Sequence, residues 1–128
     1  MKQPFDAKAG PVVVPVEIHG PNGVTILRLA LDTGATSTLV NPGPLILVGY
    51  DPALGTERVQ VTTGSGVEFT VRLKVSRLTA PGQTRQDFPL LCHSLPASAG
   101  VDGLLGLDFF RGTRLAIDFR KGIVQLSA

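Results

Sequence analysis

The sequence predicts an all-β domain, either a barrel or a sandwich, and three observations support that fold class. Short runs rich in Val, Ile, Leu and Thr recur along the chain at strand length. The 15 glycines and 10 prolines are spread among these runs, so turn signals follow one another at intervals of roughly 8–12 residues. Aromatic residues make up 5% of the chain and Trp is absent, which indicates an aliphatic core.

The predicted elements follow these runs in chain order. Residues 11–19 carry prolines that favour an edge strand, and they pair with residues 23–31 in a first hairpin. A second hairpin joins residues 58–63 to residues 67–78, where apolar and polar residues alternate as in a strand with one wet face. Further short strands are predicted at residues 88–92, 115–119 and 123–126, a helical turn within residues 42–50, and a strand running into one short helix at residues 101–110.

The length of 128 residues fits one domain. Residues 1–11 are expected to form a flexible N-terminal arm, followed by a single domain over residues 12–128. The net charge is +2, with basic and acidic residues interleaved, which argues against nucleic acid or an anionic membrane as a partner. Residues 1–30 contain neither a signal sequence nor a membrane span, so a cytoplasmic location is the default, with a removed leader or anchor left open.

No cofactor or metal is expected. The two histidines, His19 and His93, lie far apart, and neither belongs to a spacing typical of metal ligands. The Gly-Ser-Gly turn at residues 64–66 lacks the Lys-Ser/Thr of a phosphate loop, and the chain has no Gly-x-Ser-x-Gly motif of a serine hydrolase. Cys92, the single cysteine, lies in an apolar run that favours a buried small side chain over a nucleophile.

A carboxylate directly follows an apolar strand at Asp32, and small residues come after it. A strand would hold this carboxylate rigidly, apolar neighbours would shield it, and Gly34 would let backbone and water approach. The hydroxyl of Thr33 can hydrogen-bond the backbone and fix the loop. A strand-end Asp before Thr-Gly is also a common turn former, so the context of the motif decides between the two interpretations.

Asp32, Thr33, Gly34 and Ala35 match the Asp-Thr-Gly-Ala signature of retroviral-type aspartic peptidases. Two further elements occur in that family's order, namely the hairpin at residues 64–66 and the run Leu104, Leu105 and Gly106 followed by a predicted short helix. Over residues 12–126 the chain resembles the small bacterial retropepsin-like proteins.

This resemblance implies a retropepsin-like acid protease barrel with one short helix near the C-terminus. Asp32 would be the catalytic carboxylate, supported in its loop by Thr33, Gly34 and Ala35. The flap that closes over the substrate would comprise Thr63, Gly64, Ser65 and Gly66. Leu104, Leu105 and Gly106 would form the hydrophobic-hydrophobic-Gly element of that fold, a psi-type structural element.

The resemblance also implies hydrolysis of peptide bonds by general acid–base catalysis, in which two aspartates hold one water. Pepsin-type enzymes carry two such motifs, whereas this chain carries one and is too short for two lobes. The second carboxylate is therefore expected from a second copy, which gives a homodimeric aspartic endopeptidase acting on peptides or proteins. Ala35 stands where pepsin-like enzymes carry a hydroxyl, so activity is expected at mildly acidic to neutral pH.

Other interpretations stay open. Asp102, Asp108 and Asp118 are rival carboxylates, although Asp102 is expected in a turn, Asp108 at a helix N-terminus beside the helix dipole, and Asp118 in a strand or hairpin. The alternative function is a non-catalytic module that keeps the fold for peptide binding or dimerisation. A third is a domain that meets its partner only within a larger assembly. The segment before Leu104 and the C-terminal hairpin are longer than in viral enzymes, so the resemblance does not give the dimer interface.

Overall fold

The computed structural model describes residues 2–55, 57–63 and 66–128, with the backbone alone for Thr63. Within these ranges β-strands are the main regular structure of the chain. The strands are β1 (Lys2–Pro4), β2 (Val13–Gly20), β3 (Gly23–Leu31), β4 (Leu39–Val40), β5 (Glu57–Thr63), β6 (Gly66–Ala80), β7 (Gln83–Cys92), β8 (Gly103–Leu105), β9 (Arg114–Asp118) and β10 (Ile123–Ser127). The helices are α1 (Pro42–Leu47) and α2 (Leu107–Phe110), and short 3₁₀ turns lie at Pro52–Leu54 and Ala97–Ala99.

Seven strands form one sheet in the order β2-β3-β8-β4-β7-β6-β5, and β2 also pairs with β6, which closes the sheet into a barrel. β8 lies between β3 and β4, parallel to β3 and antiparallel to β4. The remaining strands form a three-stranded sheet in the order β1-β10-β9. The predicted all-β barrel is therefore confirmed.

The core is aliphatic, as the composition predicts, and the β2–β3 hairpin shows why the chain folds this way. Alternate residues of β2 point inward, so that Val16 and Ile18 are 1% and 0% exposed. Leu27 and Leu29 of β3 lie on the same buried face. The alternate apolar residues of this hairpin therefore line the inside of the barrel.

The β6–β7 hairpin is longer than predicted. The sequence analysis ended one strand at residue 78 and began the next at residue 88, but the ladder continues on both sides to the pair Ala80 and Gln83. The residues in this extension are mostly polar, so their strand structure depends on cross-strand pairing rather than on apolar burial. Gly82, at φ 87°, makes the tight turn between the two strands.

Part of the predicted N-terminal arm is a β-strand. Residues 2–4 form β1, which pairs with β10, and the Phe5 amide donates to the Gly122 carbonyl at 2.8 Å. Backbone hydrogen bonds to the edge of β10 order this segment although its sequence has no apolar alternation. The domain boundary at residue 12 stays a prediction.

A second helix accompanies the one that the sequence predicts near the C-terminus. α1 begins at Pro42, where the sequence analysis allowed only a helical turn because of the nearby prolines. Proline is well tolerated in the first helical turn, since the amide that it lacks would have no partner there. No helix among the described residues is long and apolar enough to cross a membrane.

Gly103 of β8 occupies a position that has no room for a side chain. A Cβ here would lie 2.1 Å from the backbone oxygen of Leu39 on the neighbouring strand. We therefore expect Gly103→Ala to lower the free energy of unfolding by about 3 kcal/mol or more, measured by urea denaturation. Gly43→Ala is the control, because a Cβ at Gly43 meets no atom within 4 Å. Equal stability of the two variants would contradict this packing.

Candidate active site

Asp32 lies at the end of β3, where the barrel holds its backbone on two sides. Its amide donates to the carbonyl of Leu105 in β8 at 3.0 Å, and the amide of the preceding Leu31 donates to Val12 at 2.8 Å. The Asp32 residue is partly buried. The strand end therefore fixes the position of the Asp32 backbone.

The loop after Asp32 folds back on its own carboxylate. The Gly34 amide donates to Oδ1 of Asp32 at 2.9 Å, and the Ala35 amide donates to the Asp32 carbonyl at 3.2 Å. A Cβ on Gly34 would lie 3.1 Å from Oδ1, so a side chain there would crowd the carboxylate. Thr33 is exposed, and among the described residues its hydroxyl has no hydrogen-bond partner.

The segment after β8 packs directly against this loop. The Leu107 amide donates to the Ala35 carbonyl at 2.8 Å, and the Asp108 amide donates to the Thr36 carbonyl at 3.1 Å. A Cβ on Gly106 would lie 2.7 Å from the carbonyl carbon of Ser37, so only glycine permits this approach. The structure thus brings the predicted Leu104-Leu105-Gly106 element against the predicted active-site loop.

Thr38 and Asp108 form the strongest polar link between the two segments, and the sequence analysis did not single out Thr38. The Thr38 amide donates to both carboxylate oxygens of Asp108, at 2.9 and 3.0 Å, and its hydroxyl donates to Oδ1 at 2.7 Å. The same hydroxyl accepts from the Gly106 amide at 3.1 Å, and Thr38 is fully buried. Since the two residues are 70 positions apart, no local signal could have revealed the contact.

The three rival carboxylates each accept hydrogen bonds from backbone amides. Asp108 lies in the first turn of α2, as expected, but its main partner is Thr38. Asp102 accepts from the Arg28 amide at 2.9 Å. The Asp118 carboxylate accepts from the amides of Arg120 and Lys121 in the hairpin turn. Each therefore has a structural role in holding a turn or a segment junction.

Thr63 and Gly66, two of the four residues predicted to form the flap, belong to the β5–β6 hairpin. Its ladder continues to the pair Thr63 and Gly66, with Gly66 at φ 123°, while the predicted flap residues Gly64 and Ser65 lie outside the described residues. Near the tip, Val67 and Phe69 are 56% and 68% exposed, and their spacing of two puts them on one face of the strand.

A contact between a histidine and a carboxylate ties β6 to the end of β7. Nε2 of His93, just after β7, lies 3.2 Å from Oε2 of Glu68 in β6. Two residues farther along the same face, the Thr70 hydroxyl donates to the Cys92 carbonyl. These contacts fix the base of the hairpin, and the described residues 66–69 beyond it pair with β5 but not with β7.

A half-buried Asp-Thr-Gly loop braced by a Gly-containing element of the same barrel is the arrangement of one half of an aspartic protease. Residues 14–109, more than half of the chain, match the family described as aspartyl protease, and the chain belongs to this family. A retropepsin-like aspartic protease from Rickettsia conorii has a similar structure, with a TM-score of 0.68, 14% sequence identity, and coverage of 98% of this chain and 88% of that chain. No curated protein matches the chain in sequence.

These comparisons confirm the predicted family and fold. At 14% identity the likeness to the solved structure shows the fold alone, so the roles of the individual site residues stay predictions.

The bridge through Thr38, meaning the hydrogen bonds of its hydroxyl to Gly106 and Asp108, should contribute measurably to the stability of the fold. Thr38→Val keeps the shape of the side chain but removes the hydroxyl, leaving the Gly106 amide and the Asp108 carboxylate each without one partner. We expect a loss of about 2 kcal/mol in the free energy of unfolding, measured by urea denaturation. Thr36→Val is the matched control, since Thr36 is exposed and its substitution should change stability by less than about 0.5 kcal/mol. Similar losses in both variants would refute the bridge.

Cys92 is buried, as the sequence analysis expected, with 8% of its surface exposed. Burial raises the pKa of its thiol, so at a given pH less of the reactive thiolate is present. We expect native Cys92 to react with an aromatic disulfide reagent at pH 8 at least about 100-fold more slowly than in the urea-unfolded chain. Equal rates in the folded and unfolded chains would show that the thiol is accessible.

Proposed function

We propose that this chain is an aspartic endopeptidase that works as a homodimer, with Asp32 of each copy supplying one carboxylate of the catalytic pair. The observation that carries this proposal is the Asp32 loop itself. Its carboxylate receives one backbone hydrogen bond from Gly34 and is set at a strand end, with Gly106 packed behind the loop. Such a rigid support is what a catalytic carboxylate requires.

A second copy of the chain is needed because the rival carboxylates do not suit pairing with Asp32. Asp102, Asp108 and Asp118 each already accept backbone amides that hold a turn or a segment junction, so they are poor candidates for pairing with Asp32. Around a two-fold axis, a residue close to the axis meets its own copy. Two Asp32 loops placed in this way would supply the pair without any change in the chain.

The chemistry proposed for this pair is the activation of one water. One carboxylate takes a proton from the water as it attacks the peptide carbonyl, and the other donates a proton to the oxyanion or the leaving amine. Two carboxylates at about 3 Å cannot both ionise easily, so they share a proton, and their two titration steps belong to the pair. The amide of Gly34 would steady the ionised member by its bond to Oδ1.

The substrate class proposed is an extended peptide held between the Asp32 loop and the β5–β6 hairpin. A hairpin that projects from the barrel can close over a bound strand and exclude water. Val67 and Phe69 place exposed apolar surface next to the hairpin tip. This supports a preference for apolar side chains in the peptide.

Asp32→Asn tests the catalytic proposal most simply. The substitution keeps the size of the side chain but removes its acid–base chemistry, so cleavage of an unfolded protein substrate at pH 5–7 should fall at least about 10³-fold. Sedimentation should show an unchanged dimer. Asp87→Asn is the matched control, because Asp87 is exposed and lies on the β7 strand away from the Asp32 loop, and it should retain full activity.

Two results would contradict the catalytic proposal. One is undiminished cleavage by the Asp32→Asn chain. The other is a wild-type dimer that binds peptides, keeps that affinity after Asp32→Asn, and cleaves nothing between pH 3 and 7. The latter outcome would establish the non-catalytic binding module instead.

A further inference from the structure

We propose that Arg85 is a positioning residue for the peptide cleavage proposed above. Its side chain holds the C-terminal end of α2, while the N-terminal end of α2 holds the loop after Asp32. This inference rests on the proposed function, since it names a further residue on which cleavage depends. Arg85 lies in β7 and acts on the loop only through α2.

The first step concerns the contacts between Arg85 and α2. Nη2 of Arg85 donates to the Phe109 carbonyl at 2.7 Å and to the Arg111 carbonyl at 2.5 Å, and Nε donates to the Phe109 carbonyl at 3.2 Å. The guanidinium carbon lies 5.7 Å from the centroid of the Phe109 ring, within the range of a cation–π contact. One side chain therefore contacts both the backbone and the aromatic ring at the end of the helix.

The second step concerns the need of the Phe109 carbonyl for a donor. The last carbonyls of a helix have no partner within the helix. The Leu107 carbonyl accepts from the Arg111 amide at 3.1 Å, but among the described residues no backbone amide donates to the Phe109 carbonyl. Arg85 supplies that donor, and a hydrogen bond from a charged group is stronger than one from a neutral group. Without Arg85 this end of α2 would lose its main attachment to β7.

The third step concerns the charge of Arg85. The residue is partly buried, and within the described part of the chain it forms no salt bridge. Its positive charge lies instead against the carbonyls at the C-terminal end of α2, where a cation is favourable. Asp108, a negative residue, lies in the first turn at the opposite end of the same helix. The guanidinium is therefore used to hold α2 rather than to pair with a carboxylate.

The fourth step concerns the passage of this effect through α2. The helix has four residues, so it is only about 6 Å long. At its N-terminal end the amides of Leu107 and Asp108 donate to carbonyls of the Asp32 loop. A helix of one turn has no internal hinge, so a displacement of Phe109 reaches these amides directly. The contacts of Arg85 therefore help to set the position of the Asp32 loop.

The extension of the β6–β7 hairpin brings Arg85 to α2. Arg85 lies in the part of β7 that the sequence analysis did not predict, and it pairs with the buried Leu78 of β6. Near the tip of the hairpin the hydroxyls of Thr79 and Thr84 lie 3.2 Å apart across the two strands. Such cross-strand pairs stabilise a segment that has few apolar residues. The inference thus gives this polar extension a role in the candidate site.

Steady-state kinetics with casein as an unfolded protein substrate test the positioning role. Arg85→Met keeps an unbranched side chain but removes every donor, so kcat should fall at least about tenfold, because a small misplacement of a catalytic group slows the reaction strongly. KM should change less than about twofold, since the β5–β6 hairpin proposed to hold the peptide is untouched. Arg85→Lys keeps the charge and a donor but not the planar fork, so it should restore part of kcat. Arg77→Met is the matched control, because Arg77 is exposed on the same hairpin and its side chain has no hydrogen bond or ion pair in the described ranges.

Amide hydrogen exchange tests the same link without any need for catalysis. In Arg85→Met the amides of Leu107 and Asp108 should exchange at least about tenfold faster than in the wild type, because their bonds to the Asp32 loop open more often. The slowest amides of the β2–β3 hairpin should be accelerated by a clearly smaller factor. The same acceleration at all of these amides would show a general loss of stability and would overturn the positioning role.

The outcomes separate this inference from the catalytic proposal. If the wild type cleaves casein and Arg85→Met keeps its kcat, or loses no more than Arg77→Met, the positioning role is overturned and catalysis stands. If the wild type cleaves nothing, the catalytic proposal fails, and hydrogen exchange alone decides the link. Faster exchange at Leu107 and Asp108 would then support the hold of Arg85 on the loop, and unchanged exchange would overturn it.

Discussion

The Thr38 hydroxyl is the point on which the candidate site depends, because it joins the two halves of the site in the barrel interior. It accepts from the Gly106 amide and donates to the Asp108 carboxylate, so one side chain connects the end of the Asp32 loop with the start of α2. In a fully buried location these bonds cannot be replaced by bonds to water. The carbonyls of Ala35 and Thr36 accept hydrogen bonds from the first amides of α2 at the same junction. Together these bonds hold the loop that begins at Asp32.

At this site, the residues that stabilise the loop differ from the residue that is proposed to carry out the chemistry. Thr38, Gly106 and Asp108 hold the loop against the barrel, whereas the Asp32 carboxylate is only partly buried and has one backbone bond to Gly34. The carboxylates of Asp102, Asp108 and Asp118, which are the alternatives to Asp32, each accept hydrogen bonds from backbone amides. A single chain therefore offers a well-supported carboxylate, and the proposed chemistry needs a second one from outside.

Much of the fold could be predicted from the sequence because it depends on local patterns. The alternation in β3 and β6 and the turn residues predicted the hairpins, and the motifs at Asp32 and Gly106 predicted the family and its fold through the resemblance. The sequence could not show that residues 2–4 pair with β10, or that Thr38 contacts Asp108, since both depend on long-range contacts that leave no local pattern. The flap tip at Gly64 and Ser65 lies outside the described residues and stays a prediction.

The central claim is that one active centre needs an Asp32 from each of two chains, and subunit mixing tests it most directly. Wild-type chains are mixed with an equal amount of Asp32→Asn chains, allowed to exchange, and assayed at constant total concentration. If both carboxylates are required, only dimers of two wild-type chains cleave substrate, and activity falls to about a quarter of that of the undiluted wild type. Activity of about one half would show that each chain works independently and would contradict the account.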